Sequence, residues 1–484
     1  MPDTLGGMGT RIVLPLALAQ FVASYAATTM TVAVSAIAAD LGTTVIGVQT
    51  AITLFTLTMA SLMVPGSKLT DILGRKRCFM LGLVIYGAGA LLASAARGQG
   101  LLVVGYSLLE GIGSALMIPP IYILVTVTST DLGLRARNFG VVSGAGALGA
   151  AAGPLVGGLV TSVFSWRASF VLQVLLVGCI VVLGRRIAEP PREARPRAFD
   201  VVGAVLSALG MFFLVTGFVQ AGRYGWLLSR ADFTVGGVVL IPAGWLSPLW
   251  IFAGIGALFW FWFFAHARAR ERAGRAPLVP PGLFGDRTTN LGLATQHVQW
   301  LVMQGAFFVI SVFVQQIRGY SPIETGLFLL PATIGILGSS AIAERMSRRH
   351  PQRRLIRGGF VTTLAGLVLL LLLVRENSGV LGSVPGLFLL GAGVGIMLTA
   401  SVNLVQSRWP DAAQADISGV SRSVSNLGSS VGTALAGAVI AGAARPGGLP
   451  FALALATLTA AGAVGLVAAL LLPRPSTVDH SRSS

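Results

Sequence analysis

The sequence predicts an all-α integral membrane protein with about 14 transmembrane helices, arranged as two sets of six with two more inserted between them. Hydrophobic residues make up 54% of the 484 residues and charged residues only 11%. The mean hydropathy of +0.81 exceeds what a water-facing surface tolerates. Apolar runs of about 20 residues, each long enough to cross roughly 30 Å of hydrocarbon, recur along the chain. Lys and Arg concentrate in short segments between these runs.

The apolar runs define six spans, then two intermediate spans, then six more, which we number spans 1 to 14 in chain order. Their predicted ranges are 12–39, 45–64, 78–96, 100–127, 138–162, 168–184, 201–221, 236–266, 291–315, 324–343, 356–374, 380–406, 418–443 and 450–472. The chain accordingly divides into five parts. These are an N-terminus at 1–11, an N-terminal six-helix bundle at 12–184, basic loops with two inserted helices at 185–290, a C-terminal six-helix bundle at 291–472, and a tail at 473–484.

The basic residues orient the spans in the membrane. Arg75, Lys76 and Arg77 follow span 2, Arg135 and Arg137 follow span 4, and further Arg clusters follow spans 6, 8 and 10. Cytoplasmic loops carry the excess of Lys and Arg, so both termini are expected in the cytoplasm. We expect a multi-pass protein of the cell (plasma) membrane. The first apolar run is too long for a cleavable signal.

Composition also excludes several classes of function. The net charge of +17 resides in the short loops, so nucleic acid is not an expected partner. The two cysteines, Cys78 and Cys179, support neither a disulfide framework nor a metal site. The chain has no Gly-rich phosphate loop and no clustered Cys, His or paired acids, which disfavours a membrane enzyme or a signalling receptor.

The loop between spans 2 and 3, Gly66–Arg77, reads GSKLTDILGRKR and has a weaker copy after span 10. Positions 67, 69, 71, 74, 75 and 76 match positions 340, 342, 344, 347, 348 and 349 in spacing and in residue character. Two related sets of six spans are typical of transporters that arose by duplication.

This loop resembles the one that joins helices 2 and 3 in the major facilitator superfamily of secondary transporters. The resemblance implies that Asp71 meets the start of span 13, near Asp416, and latches the outward-open state. Arg75 would hold Asp71 in place and Gly74 would allow the tight turn, and Lys76 belongs to the same latch. A carboxylate near a helix N-terminus gains about 0.3–2 kcal/mol, enough to bias two conformations. The alternative is a plain basic loop.

Span 5 contains a run of small residues, and its pattern can be interpreted in two ways. Gly149, Gly153 and Gly157 recur every four residues on one face, which lets another backbone approach, and Pro154 lacks a hydrogen-bond donor. A generic packing face would account for this spacing. With Gly158, however, the order GxxxGPxxGG resembles the antiporter signature of the exporting branches of the superfamily. That resemblance implies efflux rather than uptake.

Glu110 lies near the middle of predicted span 4. An ionised carboxylate at that depth costs at least about 2.5 kcal/mol, so the side chain should face a partner or a water-filled cavity. Glu110 is therefore the candidate for proton coupling. The alternative is a protonated Glu that hydrogen-bonds a neighbouring helix.

Polar side chains at helical spacing on spans 1 and 9 mark candidate walls of a substrate cavity, since in the superfamily these helices line the central cavity. The candidates are Gln20, Ser24, Thr28, Thr31, His297, Trp300 and Gln304, together with Asn403 in span 12. Aromatic and amide groups with one acid suit an amphipathic organic compound, including a cationic one. The alternative is that these residues hold helices together without touching a ligand. Arg422 is expected to snorkel or to pack.

Taken together, the loop, the span 5 order and the number of spans resemble the fourteen-helix drug/proton antiporter family, over nearly the whole chain. The chain departs from that family at Ala26, where an acid is usual, and at Ser35, Ser67 and Ser107, where Pro, Gly and Arg are usual. The resemblance implies a proton-driven exporter of amphipathic small molecules that works by alternating access, without a cofactor. Its partners would be a small-molecule substrate, protons and the lipid bilayer, with the chain acting as a monomer. The alternative is a dedicated exporter of one endogenous metabolite or lipid-like compound.

Overall fold

The computed structural model describes residues 3–128, 132–187, 189, 199–235, 237–347, 350–373, 379–409, 413–442 and 447–473. In the N-terminal half, spans 1 to 6 are Asp3–Val32 with Val34–Asp40, Val45–Leu73, Arg75–Ser94, Gln99–Thr128, Leu132–Val163 and Trp166–Gly184. Spans 7 and 8 are Val201–Tyr224 and Pro248–Arg272. In the C-terminal half, spans 9 to 14 are Arg287–Gln316, Pro322–Phe328 with Leu330–Ser347, Gln352–Leu373, Val380–Gln406, Gln414–Gly442 and Leu449–Leu470.

Among the described residues, 13 helices are long and apolar enough to cross a membrane. The count reaches 14 when Pro322–Phe328 and Leu330–Ser347, which meet at a bend of 43°, form one span. The prediction of an all-α membrane protein with about 14 spans is therefore confirmed.

Span 8 begins later than the sequence predicts. The predicted range starts at residue 236, whereas the helix begins at Pro248 and ends at Arg272. The intervening residues form a short antiparallel hairpin of β1, Phe233–Val235, and β2, Val238–Ile241. Pro248 occupies the first turn of the helix, where a missing N–H costs nothing, and Ser247 caps that turn by accepting from Leu249 N at 3.3 Å.

The helix packing of the first six spans is repeated in the last six. Span 1 packs on span 5, span 2 on span 4, and span 3 on spans 4 and 6. In the other half, span 9 packs on span 13, span 10 on span 12, and span 11 on spans 12 and 14. Each pair in the second half is the counterpart of one in the first, so the internal repeat extends from the loop motif to the packing.

Two seams join the halves. Span 2 packs against span 13, and span 5 packs against span 10. These two seams are equivalent under the repeat, because exchanging the halves converts one into the other. We call them the 2/13 seam and the 5/10 seam. Spans 7 and 8 pack on each other, and span 7 also covers spans 2 and 13.

Asp200 ties the inserted helices together where span 7 begins. Its buried carboxylate accepts hydrogen bonds from Gly203 N and Leu278 N, both at 3.0 Å, and lies 2.8 Å from His266 Nε2. Arg270 Nε lies 3.6 Å away. As the cap of span 7, Asp200 fastens the start of that helix to the end of span 8 and to the segment that follows.

Candidate functional site

The 2/13 seam is closed at its basic side, the side that carries the loop Gly66–Arg77, by an ion pair. Lys68 Nζ of span 2 lies 2.5 Å from Asp416 Oδ1 of span 13. The two side chains are 18% and 12% exposed, so they are shielded more than a surface pair and attract each other more strongly. This pair joins the loop to the start of span 13, where the resemblance places Asp71. The side chain of Asp71 lies outside the described part of the chain.

A ladder of hydrogen bonds continues along the 2/13 seam away from the basic side. Ser423 Oγ donates to Ala60 O, and Ser430 Oγ donates to Thr53 O at 2.8 Å. Asp416, Ser423 and Ser430 are spaced seven residues apart in the sequence. That heptad period keeps one face of span 13 turned to span 2 along its length.

Near the opposite side, the same seam ends in a buried amide. Gln49 Nε2 donates to Thr433 O at 3.0 Å, and Gly437 leaves the space that this side chain occupies. The 2/13 seam is therefore hydrogen-bonded from one side of the bundle to the other.

The basic end of the loop is anchored within the N-terminal half. Gly74 has φ of +106°, a conformation that side-chain-bearing residues rarely adopt, and it ends span 2 as span 3 begins. The backbone N–H groups of Lys76 and Arg77 both donate to the Glu189 carboxylate at 3.2 Å. Lys76 Nζ also donates to Arg185 O at 3.0 Å. Arg75, the first residue of span 3, is half-buried.

The small residues of span 5 face two different neighbours. Gly149, Gly153 and Gly157 lie against span 1, where a Cβ on any of them would overlap Phe21, Thr28 or Thr29 respectively. That contact includes a hydrogen bond from Thr28 Oγ1 to Ala150 O at 3.1 Å.

Pro154 and Gly158 face span 10 of the other half. A Cβ on Gly158 would lie 2.5 Å from Pro322 O, and a Cβ on Gly326 would overlap Pro154 O. Ile323 N also donates to Ser162 Oγ at 3.0 Å. The GxxxGPxxGG run thus combines a packing face within one half with a close backbone contact across the 5/10 seam.

Spans 1 and 9 meet at the side opposite the basic loops. Gln315 Nε2 donates to Thr31 O at 3.4 Å, and Ser35 N donates to Gln315 Oε1 at 3.1 Å. Further in, Gln304 Nε2 donates to Ala27 O at 3.4 Å. Bonds of this kind bridge the halves at the end of the bundle remote from Lys68.

A polar chain crosses between the halves nearer the basic side. Arg422 of span 13 hydrogen-bonds the Tyr122 hydroxyl of span 4, and its guanidinium carbon lies 5.2 Å from the centre of the Tyr122 ring. Tyr122 in turn donates to Gln20 Oε1 at 3.4 Å, and Gln20 donates to Ser24 at 3.3 Å. Arg422 therefore bridges the halves, whereas the sequence predicts only snorkelling or packing.

The remaining cavity candidates differ in how far they are buried. Thr28 and Thr31 are buried and donate to backbone carbonyls, Thr31 to Thr28 O at 2.6 Å, so their hydroxyls serve helix packing here. His297 lies against Val424 O at 3.3 Å. His297, Trp300 and Ser24 are half-buried, and Asn403 is exposed.

Glu110 points into the interior of the N-terminal half. It ends a π-helical segment, Val103–Glu110, in span 4, and it is fully buried. Its two carboxyl oxygens have no hydrogen-bond partner among the described residues. The nearby Tyr86 hydroxyl donates instead to Gln173. Tyr86 and Gln173 belong to spans 3 and 6, so Glu110 faces these helices.

Several of these contacts could not be predicted from the sequence. The pairing of Lys68 with Asp416 and of Tyr122 with Arg422 joins residues far apart in the chain. The seven-residue spacing from Asp416 through Ser430 was the available signal for a helix seam. In the described residues, no cluster of three or more His, Cys, Asp or Glu side chains is placed to hold a metal ion.

Comparisons with known proteins agree with this architecture. The family model of the Major Facilitator Superfamily matches residues 16–234 and 231–433. The chain is 28% identical over 451 residues to the puromycin resistance protein pur8 of Streptomyces alboniger, covering 91% of this chain and 83% of the relative. It is 30% identical over 426 residues to the probable actinorhodin transporter of Streptomyces coelicolor, covering 86% and 69%.

Two more likenesses extend this picture. The multidrug efflux pump LfrA of Mycolicibacterium smegmatis is 28% identical over 386 residues, covering 80% of this chain and 71% of the relative. The crystal structure of a peptide transporter, POT, in complex with sulfate superposes with a TM-score of 0.65 at 15% identity, covering 95% of this chain and 93% of that one.

Proposed function

Because this chain belongs to the major facilitator superfamily and is a membrane transporter rather than an enzyme, we propose that it exports amphipathic small organic molecules by proton-coupled antiport. The observation that carries the proposal is the bridging of the halves at both ends. The Lys68–Asp416 pair at the basic end of the 2/13 seam and the chain through Arg422 close one end. The 5/10 seam and Gln315 close the other.

The two seams support alternating access as the mechanism. Opening one side requires the bonds at that side to break while those at the other hold, and the repeat makes the two rearrangements equivalent. We assign residues 12–184 and 291–472 to the moving halves, with the basic side in the cytoplasm and one chain as the working unit. An extended ladder of weak bonds suits such motion, because each bond contributes only about 0.5–1.5 kcal/mol.

Export is supported by the relatives and by span 5. The relatives are named as resistance, efflux or transport proteins for antibiotics and drugs. Pro154 and Gly158 of the GxxxGPxxGG run lie in the 5/10 seam, so these two residues limit how closely the halves approach at the side opposite the basic loops.

Proton coupling is proposed to rest on Glu110. The carboxyl group lies apart from the bridge between the halves, so a proton there would act through span 4 rather than on the substrate directly. Tyr122, on the same helix, contacts Arg422 across the halves. If protonation of Glu110 shifts span 4, the contact between Tyr122 and Arg422 would therefore shift with it.

Energetics permit one proton to drive export. One charge moving down about 100 mV releases about 2.3 kcal/mol, and each tenfold concentration step costs about 1.4 kcal/mol. One proton thus supports roughly fiftyfold accumulation of a neutral substrate.

The test is substrate-dependent proton flux in reconstituted vesicles, measured with a panel of unrelated dyes and antibiotics. With the wild-type protein, we expect several compounds of the panel to cause proton flux across the vesicle membrane. Glu110→Gln should lose uphill transport yet keep downhill exchange, whereas Glu271→Gln, which removes an exposed carboxylate, should match the wild type. Uphill export by Glu110→Gln would place the coupling site elsewhere.

A dedicated exporter of one endogenous metabolite or lipid-like compound is the second candidate. The same panel of compounds distinguishes it from an exporter of many compounds. Flux with one compound class alone, and no resistance to the others on expression, would favour the dedicated exporter.

A further inference from the structure

The hairpin between spans 7 and 8 carries an apolar surface that the transport function does not use. It runs from Gly225 to Ser247 and contains strands β1 and β2, with a further bridge between Leu228 and Leu246. Span 7 begins at the basic side, and its 24 residues extend about 36 Å, enough to cross the hydrocarbon. The hairpin therefore lies at the membrane surface opposite the basic loops.

One part of the hairpin is fixed to the helices. The Phe233 ring lies 5.2 Å from Tyr224 and 6.1 Å from Phe252, centre to centre. Ser247 Oγ donates to Gly225 O at 2.7 Å. Arg230 Nη1 donates to Gly442 O at the end of span 13, also at 2.7 Å. The hairpin is thus held in one orientation relative to the bundle.

The rest of the hairpin presents large apolar side chains outward. The outward-facing set is 54–69% exposed and comprises Leu227, Leu228, Val238, Leu240, Trp245 and Leu246. The charged residues of the hairpin, Arg230 and Asp232, are turned to backbone groups, Asp232 accepting from Ala243 N at 2.8 Å. So many large apolar side chains exposed on one short hairpin indicate an interaction surface.

This surface is continuous with the lipid-facing side of the inserted helices. Trp250, at the start of span 8, is 48% exposed, and Phe261 further along the same helix is 69% exposed. The Trp250 indole N–H donates to Trp226 O at 2.9 Å, which joins the start of the helix to the hairpin. The lipid that covers span 8 therefore extends to the start of the helix, where Trp250 contacts the hairpin.

We propose that the hairpin lies in the headgroup region of the leaflet opposite the basic loops, with its outward side chains seated on lipid. Trp side chains with one apolar and one polar edge favour this depth. The hairpin has two strands, so its outer edges carry unpaired backbone groups. Those groups need hydrogen bonds that headgroups and interfacial water supply but hydrocarbon does not, which fixes a shallow depth.

If the hairpin is seated on lipid, Arg230 connects span 13 to the membrane surface. Its bond to Gly442 O links the hairpin to the end of span 13 that lies furthest from Asp416. The hairpin thereby holds one end of the 2/13 seam at the membrane surface. This inference rests on the membrane embedding of the chain and not on the direction or the substrate of transport.

The experiment measures the depth of a spin label at Leu240→Cys. The background is Cys78→Ser with Cys179→Ser, which removes both native cysteines, and the protein is placed in nanodiscs of phosphatidylethanolamine and phosphatidylglycerol. Collisions with oxygen report lipid, and collisions with a water-soluble nickel chelate report water. Phe261→Cys is the lipid reference, and the exposed Ala273→Cys, just after span 8, is the water reference.

We expect the label at residue 240 to collide with the nickel chelate several-fold less than the label at residue 273, and with oxygen at a rate between those at residues 273 and 261. Nickel collisions equal to those at residue 273 would place the hairpin in water and overturn the proposal. Low collisions with both reagents would show that protein covers the surface, which also overturns it. Val238→Cys, which is 61% exposed and lies on the same face of the strand as Leu240, repeats the measurement if Leu240→Cys does not elute as a single species.

Discussion

Lys68 and Asp416 are two charges from opposite halves, and their contact has to break whenever the basic side opens. Lys68→Ala removes the attraction, so the basic side should open more readily and transport should fall by roughly fivefold, since a pair of this exposure contributes about 1 kcal/mol. Exchanging the charges in Lys68→Asp with Asp416→Lys should restore part of the loss, as measured by flux in vesicles. Equal defects in the single and double variants would show that the pair does not couple the halves.

Asp200 is a residue at which stability should depend on pH. Burial alone raises the pKa of its carboxyl group, but hydrogen bonds from Gly203 N and Leu278 N and the contact with His266 outweigh burial and hold the pKa below its usual value. A group with a lowered folded pKa stabilises the protein above its unfolded pKa of about 3.9 and loses that contribution as the pH falls through the folded value.

We therefore expect thermal stability in detergent to fall as the pH drops below about 4. Asp200→Asn should be less stable at neutral pH by about 1–3 kcal/mol, because one of the two acceptor oxygens becomes an NH2 group and leaves a buried donor unpaired, and its stability should respond less to acid. Asp232→Asn, at an exposed position, is the control. Identical acid profiles for wild type and Asp200→Asn would contradict the account.

At the scale of the single helix, span 5 offers a comparison between two of its glycines. A Cβ on Gly153 would overlap Thr28 Oγ1, whereas a Cβ on Gly144 meets nothing within 4 Å. Gly153→Ala should thus cost about 1–3 kcal/mol by overpacking and reduce transport. Gly144→Ala should be neutral or stabilise by up to about 1 kcal/mol, since alanine is the better helix former. Thermal unfolding of both variants checks this, and a Gly144→Ala variant as unstable as Gly153→Ala would contradict the packing argument.

The elements divide into those that local sequence determines and those that depend on distant partners. Hydropathy predicts the spans because burial in lipid is a local property of about 20 residues. The start of span 8 is mispredicted because apolar residues 238–241 form a strand rather than a helix, and only Pro242 and Pro248 mark the true boundary.

The site is less predictable than the spans because its contacts join residues that are far apart in the chain. Tyr122 and Arg422 stand 300 residues apart, and no periodicity within one helix reveals that they touch. The direction of Glu110 depends on the π-helical turn before it, which shifts the faces of a helix relative to the α period. Membership of the major facilitator superfamily, by contrast, was predicted from the loop after span 2 and is confirmed.

The whole molecule consists of two equivalent halves that meet at two seams. Spans 7 and 8 stand outside the repeat and fasten to it through span 7, against spans 2 and 13, and through Arg230 at the hairpin. Arg230→Ala should free the far end of span 13 and speed exchange of nearby backbone amides, as hydrogen–deuterium exchange of residues 430–442 would record. Unchanged exchange there would show that the hairpin does not restrain the 2/13 seam.

The most direct test of alternating access measures distances across both ends of the bundle in one preparation. Spin labels at Arg77→Cys and Ser407→Cys report the basic side, and labels at Phe164→Cys and Gln316→Cys report the opposite side, each pair in the background without native cysteines. All four positions are exposed and pair residues from opposite halves. On adding a transported compound or lowering the pH, we predict that one distance lengthens while the other shortens. Two fixed distances, or two that lengthen together, would contradict the rocking of the halves.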